Sequence, residues 1–118
     1  MTTSAMKTVI YPVADLDTAK EIFTRLFGVV PYVDQPHYVG FKVDGQEAGL
    51  DPNGRDKGMA GPVGYWHVED IERIQEQLLR AGAAVQSPIT DVGGGRLVAT
   101  LIDPDGNPIG LLQDTEGA

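Results

Sequence analysis

Three side chains of this sequence combine a reactive type with a place in an apolar run. His67 and Tyr65 alternate along one such run, and Glu47 follows an Asp-Gly turn. A histidine titrates near neutral pH and can act as a general base, and Tyr65 beside it could stack on a ligand or orient a carbonyl group. The alternatives are a hydrogen-bonded histidine at a strand end and a tyrosine that lines a cavity without taking part in catalysis.

Two basic side chains extend this candidate set. A two-residue turn at Asp44-Gly45 would set Lys42 opposite Glu47, so a cross-strand ion pair between the two is its simplest role. Arg96 follows a run of three glycines, and it either clamps an acidic group or stays solvated. Tyr32, Tyr38 and His37 are expected at the rim of any cavity.

The sequence lacks the residues that several other chemistries require. The chain has no cysteine, which excludes disulfides, thiolate catalysis and cysteine-held metal sites. It has no phosphate-binding loop, dinucleotide fingerprint, His-Glu-x-x-His motif or nucleophile elbow. It has two serines: Ser4 lies in the N-terminal tail and Ser87 precedes a proline, so a serine-histidine-aspartate triad is not expected.

Charge and length bound the partners. The 118 residues carry a net charge of −8 and fit one compact domain. A chain this acidic is poorly suited to a phosphate backbone, so no nucleic-acid partner is expected. The charge either attracts cationic small molecules or only keeps the protein in solution. No apolar run reaches the ~20 residues of a membrane helix and no signal peptide is visible, so we expect a cytoplasmic protein without a membrane partner.

An internal repeat organises the chain. Asp15 and Asp70 each precede a helical apolar pattern, and Asp44-Gly45 matches Asp105-Gly106 before a Gly-Leu pair. The pattern predicts helices over 16–27 and 71–81, capped by the two aspartates, with their apolar stripes in the core. It predicts strands over 7–13, 29–33, 38–43, 46–50, 63–68, 83–87, 96–102 and 109–113. Each half therefore contains the order strand, helix, strand, strand, strand.

Alternation assigns the strand faces. One face of each sheet suits packing on its helix, with Phe41 in the first half and Trp66 in the second. The opposite faces would line a concave cavity of the kind that binds small molecules. The residues expected to line it are Thr8, Ile10, Tyr38, Lys42, Glu47, Val63, Tyr65, His67, Arg96, Thr100 and Leu112.

The repeated unit resembles the vicinal oxygen chelate superfamily, which includes glyoxalase I, extradiol dioxygenases, fosfomycin-resistance enzymes and bleomycin-resistance proteins. The resemblance spans about residues 6–113 and is strongest in Phe27-Gly28-Val29, in 70–82 and in 103–111. It implies an α+β fold of two tandem βαβββ modules that form a concave mixed sheet around a cavity. We expect one domain, with modules at about 6–51 and 63–113 joined by a Gly- and Pro-rich linker over 51–62.

The resemblance also identifies four positions at which metal-using members carry histidine or glutamate. They correspond here to Thr8, Gly49, Val63 and Gly110, none of which has a side chain of the usual ligand kind. No metal and no other cofactor are therefore expected. We expect a metal-independent protein that binds a small, partly aromatic molecule, such as an antibiotic or a toxic metabolite.

Two alternatives remain open. One is a metal-independent isomerase or lyase that uses His67, Tyr65 or Glu47, and the other, less favoured, is a metal-dependent glyoxalase or dioxygenase.

The resemblance implies a homodimer. The apolar residues of the cavity faces, Ile10, Val63, Val98, Ile102 and Leu112, also favour a dimer, because an unfilled face of this kind is unstable in water.

Overall fold

The computed structural model describes residues 3–114. Two helices, α1 (Leu16–Phe27) and α2 (Ile71–Arg80), and a short 3-10 turn at Arg55–Lys57 accompany eight strands. The strands are β1 (Thr3–Pro12), β2 (Val33–Gln35), β3 (Tyr38–Val43), β4 (Gln46–Asp51), β5 (Val63–Val68), β6 (Ala84–Asp91), β7 (Leu97–Ile102) and β8 (Pro108–Gln113). The predicted α+β class and the two βαβββ modules are confirmed.

The chain divides into two compact units. The first unit is Lys7–Val63, and the second contains residues 64–114 together with residues 3–6. Neither helix of the described residues is long and apolar enough to cross a membrane.

The first unit has the strand order β2-β3-β4-β1, with α1 packed on one face. Asp44 and Gly45 both adopt positive φ, 49° and 82°, as a two-residue hairpin turn requires. This turn sets Lys42 opposite Glu47, as predicted, and β1 pairs with β4 in parallel so that Thr8 also lies beside Glu47. The core combines the predicted hairpin residues Val39, Phe41, Ala48 and Leu50 with Ala19 of the helix.

The second unit has the strand order β5-β8-β7-β6. β5 and β8 are parallel, and β7 is antiparallel to both β8 and β6. Its core contains Val68, Ile71, Ala99, Leu101 and Leu111. β6 runs to Asp91, further than predicted. Its register with β7 shifts on both sides of Ser87. Pro88 lies next to this shift, and an edge strand such as β6 tolerates a proline.

Both helices begin where the sequence predicts. The Asp15 carboxylate accepts a hydrogen bond from the Thr18 backbone N–H at 3.1 Å, and Asp70 accepts one from the Arg73 N–H at 3.1 Å. α1 ends at Gly28, whose φ of 73° is left-handed. These caps satisfy backbone groups that helix termini otherwise leave without partners.

Two packing predictions are wrong. Ile22 and Leu26 of α1 were expected in the core and are 57% and 68% exposed, because the sheet is covered by Ala19, Phe23 and Phe27 instead. Trp66 lies on the predicted face but is 40% exposed. It is absent from the cluster that α2 forms with Val68, so the ten-residue helix leaves this end of the strand uncovered.

The segment expected as a linker is folded around Asp51. The Asp51 carboxylate accepts hydrogen bonds from the Asn53 N–H and from Lys57 Nζ, both at 2.8 Å. Met59 is buried within the same segment, and its Sδ lies near Gly54. Residues 51–59 are therefore held by specific contacts.

Candidate ligand-binding site

Glu47 is a buried carboxylate on the face of the first unit that is opposite α1. It is 6% exposed and accepts hydrogen bonds from three hydroxyl groups. Thr8 Oγ1 donates to Oε1 at 3.3 Å, and Tyr32 Oη and Tyr38 Oη donate to Oε2 at 2.5 and 2.8 Å. The three donors come from β1, from the approach to β2 and from β3, so one carboxylate fixes side chains of three segments. Hydroxyl donors of this kind stabilise an ionised carboxylate away from water.

Two glycines make room for the tyrosine rings of this cluster. A Cβ added at Gly49 would lie 2.2 Å from Tyr38 Oη, and a Cβ at Gly40 would lie 3.0 Å from both the Tyr32 and the Tyr38 rings. Gly40 and Gly49 are paired across β3 and β4. The rings therefore occupy the space above these glycines, and any larger residue would displace them.

Lys42 contacts an aromatic ring. Its Nζ lies 4.5 Å from the centroid of the Tyr32 ring, a cation–π distance. The predicted ion pair between Lys42 and Glu47 is wrong for the described part of the chain, although their pairing across the strands is right. The physical reason is that Tyr32 and Tyr38 hold the carboxylate, which leaves the longer lysine to reach the exposed side of the cluster.

The second unit repeats the arrangement of a tyrosine over a glycine. Tyr65 is buried and pairs with Gly110 between β5 and β8. A Cβ added at Gly110 would lie 2.8 Å from the Tyr65 ring and 2.5 Å from the Gly64 carbonyl oxygen. Tyr65 is thus a packed residue, whose ring fills the place of a side chain at position 110.

His67, Arg96 and Asp114 form the polar cluster of the second unit. Arg96 donates from Nε to Asp114 Oδ1 at 2.7 Å and from Nη2 to Oδ2 at 3.1 Å, a two-point geometry. His67 Nδ1 lies 3.9 Å from Asp114 Oδ2, in ion-pair range when the imidazole is protonated. The Arg96 guanidinium is therefore held by a carboxylate of the chain itself, and its role toward a ligand stays a prediction.

The sequence interpretation missed the parts that Tyr32 and Asp114 play. Tyr32 was expected at a rim, and its bond to Glu47 depends on a backbone hydrogen bond from the Tyr32 N–H to the Gly40 carbonyl at 2.9 Å. No periodic pattern reveals that contact. Asp114 could have been found, because Leu97 pairs with Gln113 and the next opposed positions are 96 and 114.

The remaining predicted lining residues are largely removed from solvent in the single chain. Thr100, Val63 and Leu112 are buried, and Ile10 is half-buried with its Cδ1 beside Gly49. Val98 and Ile102 are also half-buried. Two of the five apolar residues behind the expected dimer are therefore buried in the single chain and three are half-buried, and the homodimer stays a prediction. His37 is exposed, as predicted.

A family model for the Glyoxalase/Bleomycin resistance protein/Dioxygenase superfamily matches residues 5–111. The chain belongs to this superfamily. No curated protein matches it.

Solved structures of low identity share the fold of this superfamily member. One, described as an NAD-dependent benzaldehyde dehydrogenase from Legionella pneumophila, is 18% identical with a TM-score of 0.73 and covers 92% of this chain and 98% of its own. A superfamily member from Vibrio splendidus 12B01 is 17% identical with a TM-score of 0.67, covering 91% and 97%. Methylmalonyl-CoA epimerase from Mycobacterium tuberculosis is 16% identical with a TM-score of 0.64, covering 99% and 95%.

The residues present at the superfamily's metal positions do not fit a metal ion. The Thr8 hydroxyl donates to Glu47, Val63 is a buried hydrocarbon, and Tyr38 and Tyr65 fill the space at Gly49 and Gly110. Between residues 3 and 114, no group of three or more histidine, cysteine, aspartate or glutamate side chains is placed to hold a metal.

Proposed function

We propose that this chain is a metal-independent binding protein for a small, partly aromatic molecule, and that Tyr32 supplies the contact surface. The observation that carries the proposal is the hydrogen bond from Tyr32 to the buried carboxylate of Glu47. Tyr32 is 45% exposed, yet its hydroxyl group is fixed by the buried Glu47 carboxylate. An aromatic ring held in one orientation binds a planar ligand at a lower entropic cost than a mobile one does.

The surroundings of the ring favour the same class of ligand. Lys42 Nζ over the ring adds a positive charge and a donor at the exposed side of the cluster. A planar ligand with an acceptor group at its edge would stack on the Tyr32 ring and accept a hydrogen bond from the Lys42 ammonium group. Sequestration of an antibiotic or a toxic metabolite in the cytoplasm is the physiological form that we propose for this binding.

Titration of aromatic ligands against matched variants tests the proposal. A set of planar aromatic compounds, including bleomycin, is screened by thermal shift and the hits are titrated by calorimetry. Tyr32→Ala should weaken binding about tenfold, the value of ~1.4 kcal/mol that a stacked pair can contribute, and Tyr32→Phe should weaken it less. Trp66→Ala, which removes an exposed aromatic side chain of the second unit, is the control. Equal affinities for wild type and Tyr32→Ala would refute the assignment.

Metal independence is tested separately. Elemental analysis of protein purified without an affinity tag should find no stoichiometric zinc, iron, nickel or manganese, because the four superfamily positions lack donors. One tightly held ion per chain would overturn this part of the proposal.

A metal-independent enzyme is the second candidate, favoured by the His67–Asp114 contact. An imidazole that lies 3.9 Å from a carboxylate can exchange a proton with a substrate near neutral pH. The fold likeness to methylmalonyl-CoA epimerase suggests the first substrate to test. In deuterated water, an epimerase of this kind would place deuterium beside the thioester carbonyl, and His67→Gln would abolish the exchange. Absence of exchange in the wild type rejects this substrate.

A further inference from the structure

The two asparagines of the chain differ in how readily they can lose the side-chain amide. Asn53 precedes Gly54, whereas Asn107 precedes Pro108. Asparagine is a thermolabile residue because the next backbone nitrogen can attack its side-chain carbon, and a following glycine, which has no Cβ, hinders that attack least. Proline has no backbone N–H, so Asn107 cannot react in this way. The Asn107 amide is also held, because its Nδ2 donates to Asp103 Oδ2 at 3.0 Å.

The Asn53 side chain is exposed, and among residues 3–114 no hydrogen bond holds its amide group. Its backbone is fixed, since the Asn53 N–H donates to Asp51 Oδ1 at 2.8 Å in a turn closed by the aspartate side chain. The side-chain carbon that would be attacked is therefore open to solvent and to rotation, and the reaction depends on the nitrogen of the next residue.

Gly54 is the buried centre of the loop that follows β4. Its N–H donates to the Asp51 carbonyl at 3.2 Å. Its own carbonyl accepts from the Lys57 N–H at 3.0 Å and from the Met59 N–H at 3.1 Å. The φ of Gly54 is an ordinary −61°, but an added Cβ would lie 2.8 Å from Pro12 Cβ and 3.0 Å from Met59 Sδ. Packing therefore requires the glycine that makes the preceding asparagine reactive.

We propose that Asn53 is a deamidation site of the folded protein and that the contact between Lys57 and Asp51 sets its rate. The Gly54 nitrogen forms a bond to Asn53 Cγ, the Cγ–Nδ2 bond breaks, and the amide leaves as ammonia with the proton of the Gly54 N–H. Water then opens the cyclic imide to aspartate or isoaspartate. Because the Gly54 nitrogen is hydrogen-bonded and packed, the loop must open before it can attack. Lys57 Nζ lies 2.8 Å from Asp51 Oδ2 and opposes that opening.

The reaction changes the loop in charge and in backbone length. Both products place a new carboxylate two residues from Asp51, and isoaspartate also adds one carbon to the main chain before Gly54. The added carbon displaces the Gly54 N–H and carbonyl from the partners that hold the loop closed. The isoaspartate form should therefore bind more tightly to an anion exchanger and melt at a lower temperature than the unreacted chain. Neither effect depends on the ligand proposed above.

Peptide mass spectrometry after incubation of the whole chain at mildly alkaline pH tests the assignment. Trypsin releases Asn53 in peptide 43–55 and Asn107 in peptide 97–118, and only the first should gain the mass of an amide-to-acid change. The same chain unfolded in urea should react at least about tenfold faster, because no loop has to open. In Asn53→Ser, peptide 43–55 should keep its mass under both conditions.

Variants of the loop test what sets the rate. Lys57→Ala should accelerate the reaction about fivefold, the effect of removing one ion pair. Lys7→Ala, which removes the same charge from an exposed position of β1, is the matched control and should not. Asp51→Asn removes the pair from the other side, and its new amide precedes Pro52, so it cannot form the imide. Circular dichroism melts establish that the variants fold.

Three results would each overturn the proposal. The first is an Asn53 that stays intact in the folded chain while the unfolded chain reacts, and the second is an equal rate in the folded and unfolded chains. The third is a rate in Lys57→Ala and Asp51→Asn no higher than in Lys7→Ala.

Discussion

Gly49 lies beneath the Tyr38 ring, and a single methyl group placed there measures how firmly that ring is held. The Cβ of Gly49→Ala would lie 2.2 Å from Tyr38 Oη, 2.6 Å from Tyr38 Cε1 and 2.7 Å from Ile10 Cδ1. The Ile10 methyl group is the end of a flexible side chain and can rotate away. The Tyr38 ring cannot move without cost, because its hydroxyl donates to Glu47 at 2.8 Å and its other edge borders Gly40.

The size of the effect follows from these two constraints. Overpacking a filled site costs about 1–3 kcal/mol, and moving the ring to avoid the clash gives up a hydrogen bond to a charged group, about 1.5–3 kcal/mol. Either way Gly49→Ala should lower the free energy of unfolding by about 2–3 kcal/mol. At roughly 4 °C per kcal/mol, the melting temperature should fall by about 8–12 °C.

Urea denaturation of a double-mutant cycle is the assay. If the Tyr38 ring is the obstacle, then Gly49→Ala in a Tyr38→Ala background should cost less than about 0.5 kcal/mol, which gives a coupling energy near 2 kcal/mol. Gly61→Ala is the control, since nothing lies within 4 Å of its added Cβ and its φ is ordinary. It should be neutral or slightly stabilising. A cost for Gly49→Ala that is the same in both backgrounds would refute the account of the ring.

Three further outcomes are expected. Trp66→Ala should cost about 1–2 kcal/mol, less than a fully buried ring, because the side chain is 40% exposed, and acrylamide should quench the fluorescence of this single tryptophan; strong protection from quenching would contradict the exposure. Phe41→Ala should cost about 3–5 kcal/mol in urea melts, since the ring is fully buried. Hydrogen bonds from the Asn107 side chain and backbone lower the pKa of Asp103. The ionised carboxylate therefore stabilises the folded state above the ordinary aspartate pKa, and this contribution is lost as the pH falls through the lowered value. Asp103→Asn should therefore show a smaller loss of urea midpoint on acidification than the wild type.

Local rules of sequence predicted the features that depend on a few neighbouring residues. The Asp44-Gly45 turn fixed the register of β3 and β4, and the two aspartate caps located the starts of both helices. The reason is that a two-residue turn with positive φ and an N-cap each have one strongly favoured geometry. The alternation of β7 and β8 likewise placed Ala99 and Leu111 correctly in the core.

Periodicity predicted which face a side chain lies on, and could not predict how much of that face is covered. Ile22 and Leu26 belong to the apolar stripe of α1, but a helix on a sheet buries only the part of its circumference that touches the sheet. Trp66 shares a face with Val68, yet α2 covers only the latter. Coverage depends on the lengths and angles of neighbouring elements, which no single segment encodes.

The candidate site also combines contacts that the sequence predicts with contacts that it does not. Pairing of Glu47 with Lys42 and Thr8 follows from strand register and was predictable for the hairpin. The hydrogen bond from Tyr32 to Glu47 was not, because it joins residues of different segments through a contact at a strand entrance. Side chains that arrive from irregular segments are where sequence patterns carry the least information.

The division of β1 between the two units has a consequence for the order of folding during synthesis. Met6 packs on Gly64, and Ser4 Oγ donates to the His67 carbonyl at 3.5 Å, a contact that joins residues 63 positions apart. At 5–20 residues per second, the ribosome makes the strand about 3–13 s before its partner exists. Residues 7–12 of the same strand find β4 much sooner. A nascent chain therefore holds β1 half-paired until residues 64–67 are made, and its first residues then pair by closing a loop between positions 63 residues apart.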